Sequence, residues 1–99
     1  MERLFVYGTL RDPKILKSVI GRGAENSPDI LDGFRKVTIT IFSEKYPVII
    51  PSEESSVDGD VIDVSEDEFL MIDQHETKSY TKKKVKLKSG TIAWVYLRR

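Results

Sequence analysis

Apolar positions along the chain fall into a few distinct rhythms. Leu4-Phe5-Val6-Tyr7 is an unbroken apolar run stopped by Gly8, the pattern of a buried strand ending in a turn. Asp12-Pro13 then opens a helix, with Asp12 as cap and Pro13 at a position where a missing N–H costs nothing. Ile15, Leu16, Val19 and Ile20 form one apolar stripe, and Gly21 supplies the stop. After a loop from Gly21 to Pro28, Val37–Ile41 alternates with period two and predicts a strand with one solvated face. Tyr46–Pro51 reads as a second extended segment, its prolines marking an edge or an irregularity. Ser52–Ser56 reads as a loop, and Val57–Val64 as the next strand. Ser65 with Glu68 three residues on is a capping box, opening a helix that carries Phe69, Leu70 and Ile72 and ends near Glu76. Tyr80–Leu87, a turn at Lys88-Ser89-Gly90, and Thr91–Leu97 predict a hairpin. Both faces of its second strand are apolar, so that strand is central and Trp94 is packing. The expected order is β-α-β-β-β-α-β-β, an α+β fold with two helices on a mostly antiparallel, curled sheet.

Composition narrows the function classes. A chain of 99 residues with 39% hydrophobic and 32% charged residues is globular and is read as one domain spanning 1–99, without a separate cofactor module. No run approaches the roughly 20 apolar residues of a membrane span. Met1-Glu2-Arg3 leads straight into a strand-like segment with no signal-peptide pattern, so a cytoplasmic location is expected. There is no cysteine and one histidine, His75, so no metal site is expected. Sixteen basic and sixteen acidic residues cancel, a poor starting point for binding nucleic acid. The charges are nonetheless segregated. Tyr46–Thr77 holds ten acids and no Lys or Arg, and Lys78–Arg99 holds eight Lys or Arg and no acid, a split suited to pairing within the fold.

Two places depart from simple packing. Tyr7-Gly8-Thr9-Leu10 lies between a buried strand and a helix start, where Gly8 permits a sharp turn and a close approach to the backbone. The N–H groups of Thr9, Leu10 and Arg11 are uncommitted by pattern and near a helix N-terminus, which suits a carboxylate or a developing oxyanion. An ordinary strand-to-helix turn fits the same residues. The second place is Glu76. With Phe69, Ile72 and Asp73 it falls on the inward helix face, where desolvation and the negative end of the helix dipole raise a carboxyl pKa toward general acid/base work. Pairing with Lys78 or Lys82 is the competing account, and Asp73 is expected to bond locally. Tyr7, Tyr46, Tyr80 and Tyr96 offer hydroxyls to a pocket or amphipathic bulk to the core. His75 points to solvent. Lys82, Lys84, Lys86 and Lys88 share a strand face with Tyr80, read as a solvated, edge-protecting face or, less simply, as a phosphate-contacting one.

Taken together these segments resemble the gamma-glutamylcyclotransferase-like family. Phe5-Val6-Tyr7-Gly8-Thr9-Leu10-Arg11 is similar to its N-terminal VYGTL substrate loop. Tyr46–Pro51 and Val57–Val61 continue the match, and Ile72–Tyr80 resembles its LD-x-x-E-x-x-x-Y segment. The resemblance implies a small mixed, mostly antiparallel β-barrel flanked by two helices with a cavity at one end. It implies release of 5-oxoproline from a small γ-glutamyl amine or related compound, without cofactor or metal. Glu76 is then the general acid/base; Tyr7, Gly8, Thr9 and Leu10 hold the substrate, and Tyr46 and Tyr80 line the cavity. Thr77 stands where the family commonly has Gly, and Lys82 where it often has Arg. The expected partner is a small γ-glutamyl substrate, with no nucleic acid or membrane, in a monomer or homodimer. A non-catalytic module binding a small carboxylated metabolite in the same pocket is the alternative.

Overall fold

The computed structural model describes residues 1–75 and 80–98. Five strands form one mixed sheet: β1 (Glu2–Val6), β2 (Ser27–Ile41), β3 (Glu44–Val64), β4 (Tyr80–Lys86) and β5 (Ile92–Arg98), in the order β2-β3-β1-β5-β4. Two helices, α1 (Pro13–Ile20) and α2 (Glu66–His75), accompany the sheet. Neighbouring strands run antiparallel except for the β1–β5 pair, which is parallel with Leu4 opposite Trp94.

β1 is apolar at every inner position because both its faces are covered. Leu4 and Val6 pack with Leu16 and Ile20 of α1 and Phe69 and Ile72 of α2. Phe5 and Tyr7 turn the other way, against Leu31, Ile49, Val57 and Val95. β5 is divided in the same manner, with Tyr96 on the helix side and Ala93 and Val95 on the other. Its predicted central place is therefore observed. Trp94 does pack, edge-on to Phe69 at 6.1 Å, and its indole N–H also donates to Glu2 at 2.8 Å.

The sheet curls so that its two ends approach each other. Lys88 N–H, in the β4–β5 turn, donates to the Ile30 carbonyl of β2 at 2.8 Å. The Tyr80 hydroxyl of β4 donates to the Pro47 carbonyl of β3 at 2.8 Å. The result is a half-barrel with two helices, and the expected class holds.

One expected element order is corrected. Three strands were expected between the helices; two long ones are present, because Ser52–Ser56 is part of β3. The loop-like composition marks a slip in the β2–β3 ladder instead. Asp32 pairs with Ser56 and Phe34 with Pro51, so Gly33 alone stands opposite residues 52–55. Gly33 has φ +85°, a conformation that any other residue would adopt under strain. β2 also begins earlier than its alternation suggests, at Ser27. At the far end the two strands join through Phe42 and Ser43, both at positive φ, the backbone of a tight primed turn.

Both helix starts form as predicted. Asp12 caps α1 by accepting from Lys14 N–H at 2.9 Å, and Gly21 closes it at φ +81°. In α2, Glu68 N–H donates to Ser65 Oγ at 3.2 Å while Ser65 N–H donates to Glu68 Oε1 at 2.8 Å. Arg22, just beyond α1, clamps the same carboxylate with Nε and Nη2 and bonds the Asp63 carbonyl at 3.0 Å. These contacts hold Glu68 at a pKa of about 2, with the Arg22 hydrogen bond the largest cause and the Ser65 N–H next.

A carboxylate depressed only in the folded chain contributes stability that is complete above its unfolded value and fades as pH falls toward the folded one. Replacement of Glu68 by Gln is expected to cost about 1 kcal/mol at neutral pH, given a half-exposed Arg22 partner. The gap between wild type and variant in urea denaturation should narrow from pH 5 to pH 2.

Candidate functional site

Where β1 ends, the chain leaves the sheet at Tyr7, turns at Gly8, and makes one 3-10 turn over Thr9–Arg11 before Asp12 caps α1. Three anchors fix this loop. The Tyr7 hydroxyl donates to the Tyr96 carbonyl at 2.6 Å, Lys36 of β2 donates from Nζ to the Tyr7 carbonyl at 3.3 Å, and Arg11 pairs with the buried Asp60 at 3.1 Å. Gly8 is squeezed against β3: a Cβ placed there would lie 2.9 Å from Pro47 Cγ. The close approach expected of Gly8 is thus made by Pro47.

A cavity of about 70 Å³ opens at this loop. Tyr7, Gly8, Thr9 and Leu10 form one wall, and Pro47, Tyr80 and Tyr96 face them. Leu10 is buried in the helix-side core, so its side chain is spoken for. Among the described residues no group accepts from the Thr9 or Leu10 N–H. Arg11 differs from expectation: its N–H donates to the Gly8 carbonyl at 3.1 Å and closes the 3-10 turn. The helix dipole does not serve the loop either, because the Asp12 carboxylate already occupies the start of α1.

Of the residues expected at the site, the structure brings together Tyr7, Gly8, Thr9, Leu10 and Tyr80. Tyr46 lies elsewhere. Side chains alternate along β3, so Pro47 faces the cavity while Tyr46 and Val48 line a second one. The Tyr46 hydroxyl bonds Glu44 at 2.5 Å, which holds its pKa above the usual tyrosine value. Glu76 lies outside the described residues, as do Thr77 and Lys78. His75, which precedes Glu76, is exposed as expected, yet it borders the cavity. The inward face of α2 is confirmed by Phe69 and Ile72, 5% and 0% exposed.

Tyr96, one of the four tyrosines that offer a hydroxyl to a pocket or bulk to the core, lies in the central strand β5. It does both jobs. It packs edge-on to Phe69, borders the cavity, and donates its hydroxyl to Asp73 Oδ1 at 2.5 Å. Asp73 therefore bonds across the fold instead of locally, and its other oxygen accepts from Lys82 Nζ at 2.9 Å. Lys82 also sits 4.0 Å from the Phe69 ring centroid. It is the one contact among the described ion pairs that joins the acidic and basic segments. Asp60, Asp63 and Glu68 pair instead with Arg11, Arg3 and Arg22 from the first quarter of the chain. Lys84, Lys86 and Lys88 are exposed, on or just beyond edge strand β4, with Lys84 5.2 Å from the Trp94 ring.

Comparison with known proteins gives this geometry a family. Residues 4–99 match the family described as gamma-glutamyl cyclotransferase, AIG2-like. The chain belongs to that family. AIG2-like protein C of Arabidopsis thaliana is 31% identical over 85 residues, covering 85% of this chain and 48% of that protein. AIG2-like protein A of the same plant is 32% identical over 81 residues, covering 81% and 48%. The chain thus spans about half the length of these curated relatives. Among solved structures, a protein of Arabidopsis thaliana is 27% identical with a TM-score of 0.83, covering 98% of this chain and 68% of its own. A gamma-glutamyl cyclotransferase matches with a TM-score of 0.82 at 17% identity, covering 99% and 66%, a likeness of fold. Within the AIG2-like family fold, no helix among the described residues is long and apolar enough to cross a membrane.

The contact between Gly8 and Pro47 makes a direct prediction. Gly8→Ala forces the proline ring or the loop to shift and is expected to cost about 1–3 kcal/mol in chemical denaturation.

Proposed function

We propose that this chain is a cyclotransferase releasing 5-oxoproline from a small γ-glutamyl compound. The observation that carries the reading is the cavity at Tyr7–Leu10, with two unengaged N–H groups on its wall, in a chain of the AIG2-like gamma-glutamyl cyclotransferase family. In this reading the Thr9 and Leu10 N–H groups receive the substrate carboxylate or the oxygen that gains charge as the ring closes. Tyr7, Tyr80 and Tyr96 wall the substrate in. Tyr46, facing the second cavity, is not assigned to the γ-glutamyl group.

Glu76 is assigned as the acid/base. It follows directly on His75, which borders the cavity. Its carboxylate takes a proton from the α-ammonium of the γ-glutamyl group. The freed amine attacks the γ-carbonyl carbon and a five-membered ring forms. The carboxyl returns its proton to the leaving nitrogen as the amide C–N bond breaks. The carboxylate then takes the extra proton from the ring nitrogen and passes it to the departing amine, which leaves as the ammonium. No water is consumed and no cofactor takes part. Confinement in the cavity holds amine and carbonyl in contact, which lowers the entropic part of the barrier.

The described lining offers His75 and three tyrosines but no carboxylate, so turnover hangs on Glu76. If that residue does not act, the same pocket is a carboxylate-binding module. Glu76→Gln is expected to lower 5-oxoproline release by at least about 100-fold, with a γ-glutamyl-induced thermal shift retained. Undiminished release would overturn the assignment; a thermal shift without release by the wild type would favour the binding module.

A further inference from the structure

A second cavity adjoins the first. It has a volume of about 240 Å³ and an apolar floor made by Ile39, Ile41 and Val48, with Tyr46 beside them. Phe42, at the tip of the β2–β3 hairpin, stands over it and is 98% exposed. A ring so exposed makes too little apolar contact with the described residues to repay its hydration. Ile39 lies opposite Tyr46 in the β2–β3 ladder, so the floor belongs to rigid paired strands.

Two features tie this groove to the first cavity. Tyr80 lines both, with its hydroxyl fastened to the Pro47 carbonyl at 2.8 Å. Pro47 faces the first cavity, and its chain neighbours Tyr46 and Val48 face the second. The Tyr80–Pro47 bridge is therefore their common wall. The groove also carries a cation. Arg98 lines it and is the direct cross-strand partner of Tyr80 in the β4–β5 ladder. Arg98 has no ion-pair partner among the described residues, and its guanidinium is suited to gripping a carboxylate with two parallel N–H bonds. Glu44, bonded to Tyr46, is not part of the lining.

We propose that this groove is the leaving-group subsite, and that it selects γ-glutamyl conjugates of apolar α-amino acids. The proposal rests on the cyclotransferase reading above. With the γ-glutamyl half in the first cavity, the scissile amide crosses at Tyr80. The released amino acid then lays its side chain on Ile39, Ile41 and Val48 beneath Phe42 and turns its carboxylate to Arg98. The bond that breaks is the γ-amide C–N bond, and the departing nitrogen leaves as the ammonium of that amino acid. A simple amine fills the floor but leaves Arg98 without an anion. A small polar amino acid meets Arg98 but leaves the floor wet. Specificity for both features follows from the two ends of one groove.

The test compares γ-glutamyl-leucine, γ-glutamyl-glycine and γ-glutamyl-isoamylamine, which has leucine's side chain without its carboxylate. The leucine compound is expected to exceed the glycine compound in kcat/KM by about 10-fold or more. Arg98→Ala should lower kcat/KM for γ-glutamyl-leucine about 10-fold more than for γ-glutamyl-isoamylamine. Ile39→Ser should flatten the preference for leucine over glycine. Calorimetric binding of γ-glutamyl-leucine to Glu76→Gln, with and without Arg98→Ala, is measured in parallel. Turnover without a leucine preference or an Arg98 effect would overturn the subsite and leave the reaction standing. Binding that weakens with Arg98→Ala, but no 5-oxoproline from any substrate, would overturn the reaction and with it the leaving-group role, leaving the groove a binding site for the amino-acid half. Absence of both binding and release would overturn both.

Discussion

The burial of β1 on both faces is the constraint on which everything else in this chain depends. Four consecutive apolar side chains leave the strand no solvated side, so the protein must supply two cores, one for each face. Helices α1 and α2 close one face, and the curled sheet closes the other. The curl follows from the second requirement: a flat sheet of five strands would leave Phe5 and Tyr7 open to water. The contacts of Lys88 with Ile30 and of Tyr80 with Pro47 are the seams of that closure.

The cavity sits where this arrangement ends. Tyr7 is the last residue of the apolar run and is held at both hydroxyl and carbonyl, by Tyr96 and Lys36. Gly8 then lets the backbone turn away against Pro47. The loop is therefore fixed from three strands while the N–H groups of Thr9 and Leu10 remain outside the sheet ladder. In the proposed reaction, these rigid surroundings and two donors that no described group engages make a preorganised wall for developing charge. Behind it, Tyr96, Asp73 and Lys82 form a bonded chain from the cavity wall to the outer surface of α2 and β4.

Local chemistry was legible in the sequence and long-range geometry was not. The caps of Asp12 and Ser65, the stop at Gly21 and the buried face of α2 depend on residues within a turn of one another, and each was found in place. The length of β2 and β3 escaped because the clues were inverted. The serine-rich segment that looked like a loop is an excess of residues opposite Gly33, and the hairpin turns on Phe42 and Ser43, which lack the usual Gly or Asn. Tyr46 lines the neighbouring cavity and not the one at Tyr7–Leu10, because a strand's facing flips with every residue and the register of β3 is set by its partner strand. Asp73 was read as local because its partners, Tyr96 and Lys82, come from strands beyond the helix. The Tyr7–Leu10 loop was legible as a candidate, through Gly8 between a strand and a cap. The engagement of the Arg11 N–H was not, since a 3-10 turn leaves no periodic mark.

The parallel pairing of β1 with β5 carries a consequence for how the protein comes into being. Antiparallel neighbours can zip from a turn, but these two strands are separated by most of the chain, and the Tyr7 hydroxyl bond to Tyr96 spans 89 positions. Pairing between positions so far apart in sequence carries a loop-closure cost that slows folding. On the ribosome, the N-terminal loop emerges early but waits for β5 to arrive before its wall is complete. The cavity at Tyr7–Leu10 and the topological closure of the domain are thus one event, and a nascent or locally opened chain has neither.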